Sequence, residues 1–162
     1  YPNRDSVSYL ADYRFEPGWK VKEFVRGTLR LNGWADAWQP IFEELAATPD
    51  DARLKALSDE LWEKYPFAEG EPDRVVLCVS LKAERAGLPV WHRTWALDAI
   101  GDIRGSAMAR LVSGTVALGV EALMAREIPV GLHGAPHDPR LVAKWLEDIH
   151  TLAQFMRRID HV

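Results

Sequence analysis

An α+β fold is what the sequence predicts, on three observations. Residues 74–84 and 88–100 alternate in polarity on either side of a short Arg85-Ala86-Gly87 turn, the mark of an antiparallel hairpin. Four other stretches, 34–47, 49–65, 106–126 and 139–158, repeat their apolar residues every three to four positions, as a helix face does. Strands and helices are mixed without the strict βαβ order of a doubly wound sheet. With a further strand expected over residues 20–31, the order is helix, strand, two helices, two strands, two helices. The sheet is therefore antiparallel or mixed, and packed by long helices.

Each element has its own local reason. Asp5 or Ser6 caps a short helix over residues 7–13, where Val7, Leu10 and Ala11 share a face, and Glu16-Pro17-Gly18 ends it. Across residues 20–31, Val21, Glu23, Val25, Gly27 and Leu29 fall on one side of a strand. Lys22, Phe24, Arg26, Thr28 and Arg30 fall on the other, which borders water, a ligand or another domain. Asn32-Gly33 turns the chain into a helix with Trp34, Trp38, Ile41, Phe42 and Leu45 along its stripe, and Pro40 either kinks it or marks its start. Pro49 is expected in the first turn of the next helix, with Leu54, Leu57, Leu61 and Trp62 inward and Glu60 paired with Lys64 outward.

The loop 66–73 leads into the hairpin, which places Val75, Leu77, Val79, Leu81 and Ala83 on one face of its first strand. Trp91, Arg93, Trp95 and Leu97 share a face of the second, with His92, Thr94 and Ala96 opposite. Residues 106–126 are apolar nearly all round, so this helix is expected to be covered on more than one side, with Gly114 and Gly119 permitting close approach. After the loop 129–137, Asp138-Pro139 caps and opens a last helix expected to reach Arg158, with Leu141, Val142, Trp145, Leu146, Ile149, Leu152 and Phe155 inward.

Bulk properties narrow the function. A chain of 162 residues fits one domain, taken here as residues 1–162. A net charge of −4 leaves no basic surplus to neutralise phosphates, which argues against nucleic acid and acidic membranes as partners. No apolar run reaches the roughly 20 residues of a membrane span. The single cysteine, Cys78, excludes an internal disulfide and suits a reducing, cytoplasmic compartment; a small, buried or semi-buried thiol is expected there. The chain opens Tyr1-Pro2-Asn3-Arg4 with no initiator Met, so it is expected to be part of something longer, with the remainder upstream.

A search for chemistry removes most candidates. No Gly-x-Gly-x-x-Gly or Walker-type loop follows a strand, so no cofactor-binding residues are expected here. His133, His137 and Asp138 share a loop, but no other clustered ligands accompany them and capping accounts for the aspartate; no metal site is expected. His92 reads as a surface or hydrogen-bonded histidine, the tryptophans as core or interdomain packing, and no general base stands out. What remains is Arg26-Gly27-Thr28-Leu29-Arg30. Two arginines lie four apart on one face of an extended run, and Arg is the side chain shaped for paired hydrogen bonds to a carboxylate.

This motif follows a second, Asn3-Arg4-Asp5-Ser6, preceded by Pro2 and followed shortly by Tyr9. The pair resembles the saccharopine reductases (glutamate-forming saccharopine dehydrogenases), and the likeness continues through residues 106–109, the long helix and residues 128–131. Where that family usually carries Tyr after the second arginine, this chain has Leu31, and its spacer around Glu16-Pro17-Gly18-Trp19 is longer. The resemblance implies part of a C-terminal substrate-binding and dimerisation domain, similar to the glyceraldehyde-3-phosphate dehydrogenase C-terminal-domain-like fold. It implies Arg4, Thr28, Leu29 and Arg30 as substrate contacts: the arginines would clamp carboxylates, Thr28 would offer its hydroxyl or backbone, and Leu29 its backbone.

The implied reaction is NAD- or NADP-dependent oxidation of saccharopine, a tricarboxylate secondary amine, to glutamate and aminoadipate semialdehyde, or the reverse. The cofactor would be held mainly by a Rossmann domain upstream, so the fragment alone would be inactive. Two other readings stand beside this one: a related enzyme acting on carboxynorspermidine, to which Leu31 points, and a non-catalytic binding or dimerisation module. The apolar helices admit a homodimer.

Overall fold

A computed structural model describes residues 5–162. The chain is α+β, with a three-stranded antiparallel sheet, four α-helices and a 3-10 turn among the described residues, and it divides into two compact units meeting in sequence at Glu71 and Pro72.

The first unit is built on short-range contacts. A 3-10 turn spans Val7–Tyr13; Asp5 Oδ1 accepts from the Val7 N–H at 2.9 Å, and the Ser6 hydroxyl donates to the Phe24 carbonyl at 3.0 Å. Phe24 also receives the edge of Tyr13 at 5.0 Å between ring centres. These contacts anchor residues 20–31, and among the described residues the segment joins no ladder and carries one bridge position, at Gly27. Among the described residues the expected strand is therefore not formed. Its face assignment also changes, because Val25, Leu29 and Leu31 all point to solvent while Phe24 and Thr28 are half-buried.

Helix α1 (Trp34–Ala46) follows the left-handed Gly33, and its Trp34, Trp38 and Phe42 rings pack at centroid distances of 5.4 to 6.2 Å. Pro40 lies inside α1 and does not start it. Helix α2 (Asp51–Lys64) begins one residue after Asp50, whose carboxylate accepts from the Arg53 N–H at 2.8 Å, so the cap displaces Pro49 from the first turn. Arg53 ties α2 to Glu44 of α1 and takes Glu60 at 2.6 Å, the partner expected for Lys64. Leu57 is buried and Leu61 half-buried, while Leu54 and Trp62 are exposed.

The second unit is the sheet and two helices. Strands β1 (Arg74–Arg85) and β2 (Leu88–Ile100) pair antiparallel through a two-residue turn, Ala86 and Gly87, both at positive φ (52° and 79°). Positive φ at both central residues matches the twist of the flanking strands. Helices α3 (Ala107–Met124) and α4 (Pro139–Leu152) start on Ser106 and Asp138, whose side chains accept backbone N–H bonds at 2.8 to 3.1 Å. Gly114 does permit close approach, since a methyl there would lie 2.5 Å from Leu152 Cδ1; at Gly119 the nearest such atom, of Trp145, is 4.0 Å away. By length and composition alone α3 would pass for a membrane span, with mean hydropathy 1.4 over 18 residues, but one side of it packs on β1 and α4.

The helix expected to reach Arg158 stops at Leu152. Ala153 turns extended, Gln154 pairs its amide with both N–H and C=O of Ile100 (2.8 and 2.9 Å), and β3 (Phe155–Asp160) fills the free edge of β2. The core sits where β2 meets the helices: Leu97, Ala99 and Ala107, with Val75, Leu111, Ile149, Ala153 and Met156 around them.

The junction between β2 and α3 is the most fully bonded part of this unit. The Asp73 carboxylate takes the Ala107 and Met108 N–H groups at 2.7 and 2.8 Å, and its backbone carbonyl accepts from the Gly101 N–H at 2.8 Å. Arg110, 9 % exposed, donates to Asp102 (2.8 Å) and to the carbonyls of Gly105 (2.8 Å), Ile100 (2.9 Å) and Leu152 (3.4 Å).

Candidate functional site

The second arginine motif lies on the extended segment just before α1. Arg30 is exposed, and its guanidinium carbon sits 4.9 Å from the centre of the Trp34 indole. Among the described residues no carboxylate pairs with it. A guanidinium lying over a ring is held by the ring's negative face and keeps its in-plane N–H donors directed outward. Those are the groups that grip a carboxylate through two parallel bonds. Thr28 is half-buried, Leu29 is 63 % exposed, and Arg26 is exposed. Arg4 lies outside the described residues, while Asp5 and Ser6 of the first motif sit at the start of the 3-10 turn, Ser6 bonded to the Phe24 carbonyl.

Trp34 is the contact that sequence reasoning missed, having been read as one residue of an apolar stripe. The signal was present: Arg30 and an aromatic four residues on, joined across the Asn32-Gly33 turn that folds one back on the other.

Among the described residues Arg30 lines no groove; the concave feature of this unit lies elsewhere. An open groove of about 750 Å³ between α1 and α2 is lined by Trp38, Ile41, Leu45, Leu57 and Trp62, with Ser58 among its few polar groups. It offers no cation to a carboxylate.

On the face of the sheet opposite Leu97, four polar side chains join in a chain. His92 Nε2 lies 3.2 Å from the Ser80 hydroxyl, Thr94 Oγ1 donates to Ser80 at 3.0 Å, and His161 Nε2 lies 3.0 Å from Thr94. The two imidazoles stack at 4.0 Å. Because Thr94 gives its hydrogen to Ser80, the bond between His161 and Thr94 takes its hydrogen from the His161 ring, and the direction of the Ser80–His92 bond follows the His92 tautomer. Burial, then the nearby His161 and Lys82, push His92 below the ordinary histidine range. His92 is thus hydrogen-bonded, as its sequence context indicated; its partner His161 was missed because the residues before it read as helix. Cys78, on the same face of the edge strand β1, is exposed rather than buried or semi-buried. Among the described residues no group of three or more His, Cys, Asp or Glu could hold a metal ion.

The junction that most resembles a phosphate site is β2, the 101–105 turn and the N-terminus of α3. Its first free N–H groups are already taken by Asp73, whose carboxylate is held below the usual range by the Met108 and Ala107 amides. A negative charge occupies the position a pyrophosphate would need.

The family model for the saccharopine dehydrogenase C-terminal domain matches residues 1–151, all but the last eleven residues of the chain. No curated protein and no solved structure matches it. The chain belongs to the saccharopine dehydrogenase family, as its C-terminal domain. That is a family of oxidoreductases of amino-acid metabolism acting on small-molecule substrates.

Proposed function

We propose that this chain is the substrate-binding part of an NAD(P)-dependent saccharopine dehydrogenase. The observation that carries the proposal is Arg30, an exposed guanidinium laid over Trp34 with no carboxylate partner among the described residues. Saccharopine carries three carboxylates, and a planar, fixed guanidinium is the complement of one of them. Arg30 binds a carboxylate through its two outward N–H groups while Trp34 holds the plane. Arg4 supplies a second cation, Thr28 a hydroxyl or backbone group, and Leu29 its backbone amide. With its charged ends fixed, the amine-bearing carbon is presented in one orientation, which is the protein's contribution to this chemistry.

Hydride acceptance belongs to NAD or NADP, held on residues other than these, because the α3 N-terminus is filled by Asp73. The overall conversion takes saccharopine, water and oxidised cofactor to glutamate, aminoadipate semialdehyde, reduced cofactor and a proton.

The test is turnover by the intact enzyme, following reduced-cofactor absorbance with saccharopine and, separately, with carboxynorspermidine. Oxidation of saccharopine is expected. Turnover of the carboxylated polyamine with none of saccharopine would move the assignment to the related imine-reducing enzymes, and Leu31, 87 % exposed beside Arg30, would then be the residue to examine.

A further inference from the structure

The hydroxyl–imidazole chain on the sheet has no part in gripping a carboxylate, and its position gives it a use of its own. In the antiparallel register Lys82 lies opposite His92 and Ser80 opposite Thr94. Just past the last residue of β3, the His161 N–H donates to the His92 carbonyl at 3.0 Å. Residues opposite one another share a face of the sheet. Lys82, His92 and His161 therefore form one row, with Ser80, Thr94 and Ile159 as the next.

Two members of that row are imidazoles stacked at 4.0 Å with 21° between their planes. One proton on the pair is tolerated. A second sets two positive charges side by side, next to the Lys82 ammonium, which has Glu84 at 2.7 Å as its counter-charge. Like charges that close disfavour the second proton by about tenfold to a hundredfold at a half-exposed site. The remaining charged and titratable groups bring no relief. Asp160, on the opposite face, already takes Arg93 at 2.5 Å and Arg158 at 3.1 Å, while Cys78 and Arg157 flank Ala96 two rows away. The hydrogen bonds push the same way. A neutral His92 takes the Ser80 hydrogen at Nε2, and a protonated one has no acceptor nitrogen and turns that hydrogen aside.

We propose that His92 and His161 form a pH-sensitive clasp at the end of the β2–β3 pairing, closed while at most one ring is charged and loosened when both are. The strand β3 is six residues long, and the His161 amide bond lies beyond its last paired residue, so opening starts there. Burial, then His161 and Lys82, weaken proton binding by His92 in the folded chain. What the clasp contributes is therefore complete above the unfolded value of 6.5 and is lost as pH falls through the lower, folded one.

The experiment follows the imidazole resonances of the full chain by NMR from about pH 8 to about pH 5, with backbone amide exchange read on the same samples. The His92 ring is expected to titrate below the midpoint of an unfolded histidine. The His161 amide is expected to exchange about tenfold faster at the acid end, after correction for its intrinsic rate, while the Leu97 amide keeps its protection. His161→Phe keeps a ring in the stack that cannot be charged. It is expected to raise the His92 midpoint and to hold the amide of residue 161 protected throughout; Lys82→Met should raise the midpoint by less. Thr94→Val removes the hydroxyl bridge but leaves the stacked rings, so the pH response of the His161 amide survives in it. A His92 midpoint that does not move in His161→Phe, a His161 amide whose protection is constant through the titration, or equal loss of protection at His161 and Leu97 would each overturn the proposal.

Discussion

Arg110→Ala tests the part of the fold on which the second unit depends. The side chain is 7 % exposed and donates to one carboxylate and three carbonyls drawn from the β2 exit, the 101–105 turn and the end of α4. Charge-assisted hydrogen bonds contribute about 1.5–3 kcal/mol each, and breaking a buried ion pair typically costs about 3–5 kcal/mol. The acceptors are not all stranded. Asp102 keeps Arg104 at 2.7 Å and Gln154 at 3.0 Å, Ile100 keeps Gln154 at 2.9 Å, and Gly105 keeps the Asp102 N–H at 3.1 Å. The loss therefore falls at the low end, about 3 kcal/mol. For a unit of this size that is a fall of roughly 12–24 °C in the melting temperature. Arg110→Lys keeps the charge but not the fork, and is expected to lose about half as much. Differential scanning calorimetry on the parent and both variants measures this. A melting temperature within about 3 °C of the parent for Arg110→Ala would refute the role assigned to this network.

Two further expectations come from the same region. Gly101→Ala drives a methyl to 2.5 Å from Asp73 Oδ1, an atom pinned between two amides, and is expected to cost about 1–3 kcal/mol. Gly114→Ala meets only the tip of Leu152, which can rotate away, and gains helix propensity, so it stays within about 1 kcal/mol of the parent; urea unfolding in which Gly114→Ala is the worse of the two would contradict this. Acid should also loosen the junction. Asp102, held at about 2 chiefly by Arg104, and Asp73, lowered chiefly by the Met108 amide, both bind protons more weakly folded than unfolded. Their contribution is complete above the unfolded carboxyl value of 3.8 and is lost as pH falls from there toward about 2. A plot of melting temperature against pH should drop in that window, and Asp102→Asn should flatten the drop.

Much of the fold was legible in local chemistry. Gly87 at the hairpin turn, Ser106 and Asp138 at the helix starts, and Gly114 at the α3–α4 contact all act as their residue types indicate. What failed did so where two patterns coincide or where distant partners decide. Phe155 and Met156 continue the three-to-four spacing of α4, and only the free edge of β2 with the Gln154 amide turns them into a strand. Residues 20–31 alternate as a strand would, but among the described residues the segment finds no ladder, and aromatic packing around Phe24 anchors it instead. Of the site, the arginine motif was visible in sequence; the indole under Arg30 and the His92–His161 pair depended on turns and pairings that no local pattern records.

The central claim is that Arg30 grips a carboxylate of the substrate, and the binding affinity of Arg30 variants of the intact enzyme for saccharopine tests it most directly. With charge-assisted hydrogen bonds at about 1.5–3 kcal/mol and 1.4 kcal/mol per factor of ten, Arg30→Ala is expected to weaken saccharopine binding by roughly ten- to a hundredfold or more. Arg30→Lys should weaken it by less, because the charge survives and the planar fork does not. Cofactor affinity and thermal stability should stay at parent values. Unchanged saccharopine affinity in a stably folded Arg30→Ala enzyme would contradict the clamp and the substrate assignment built on it.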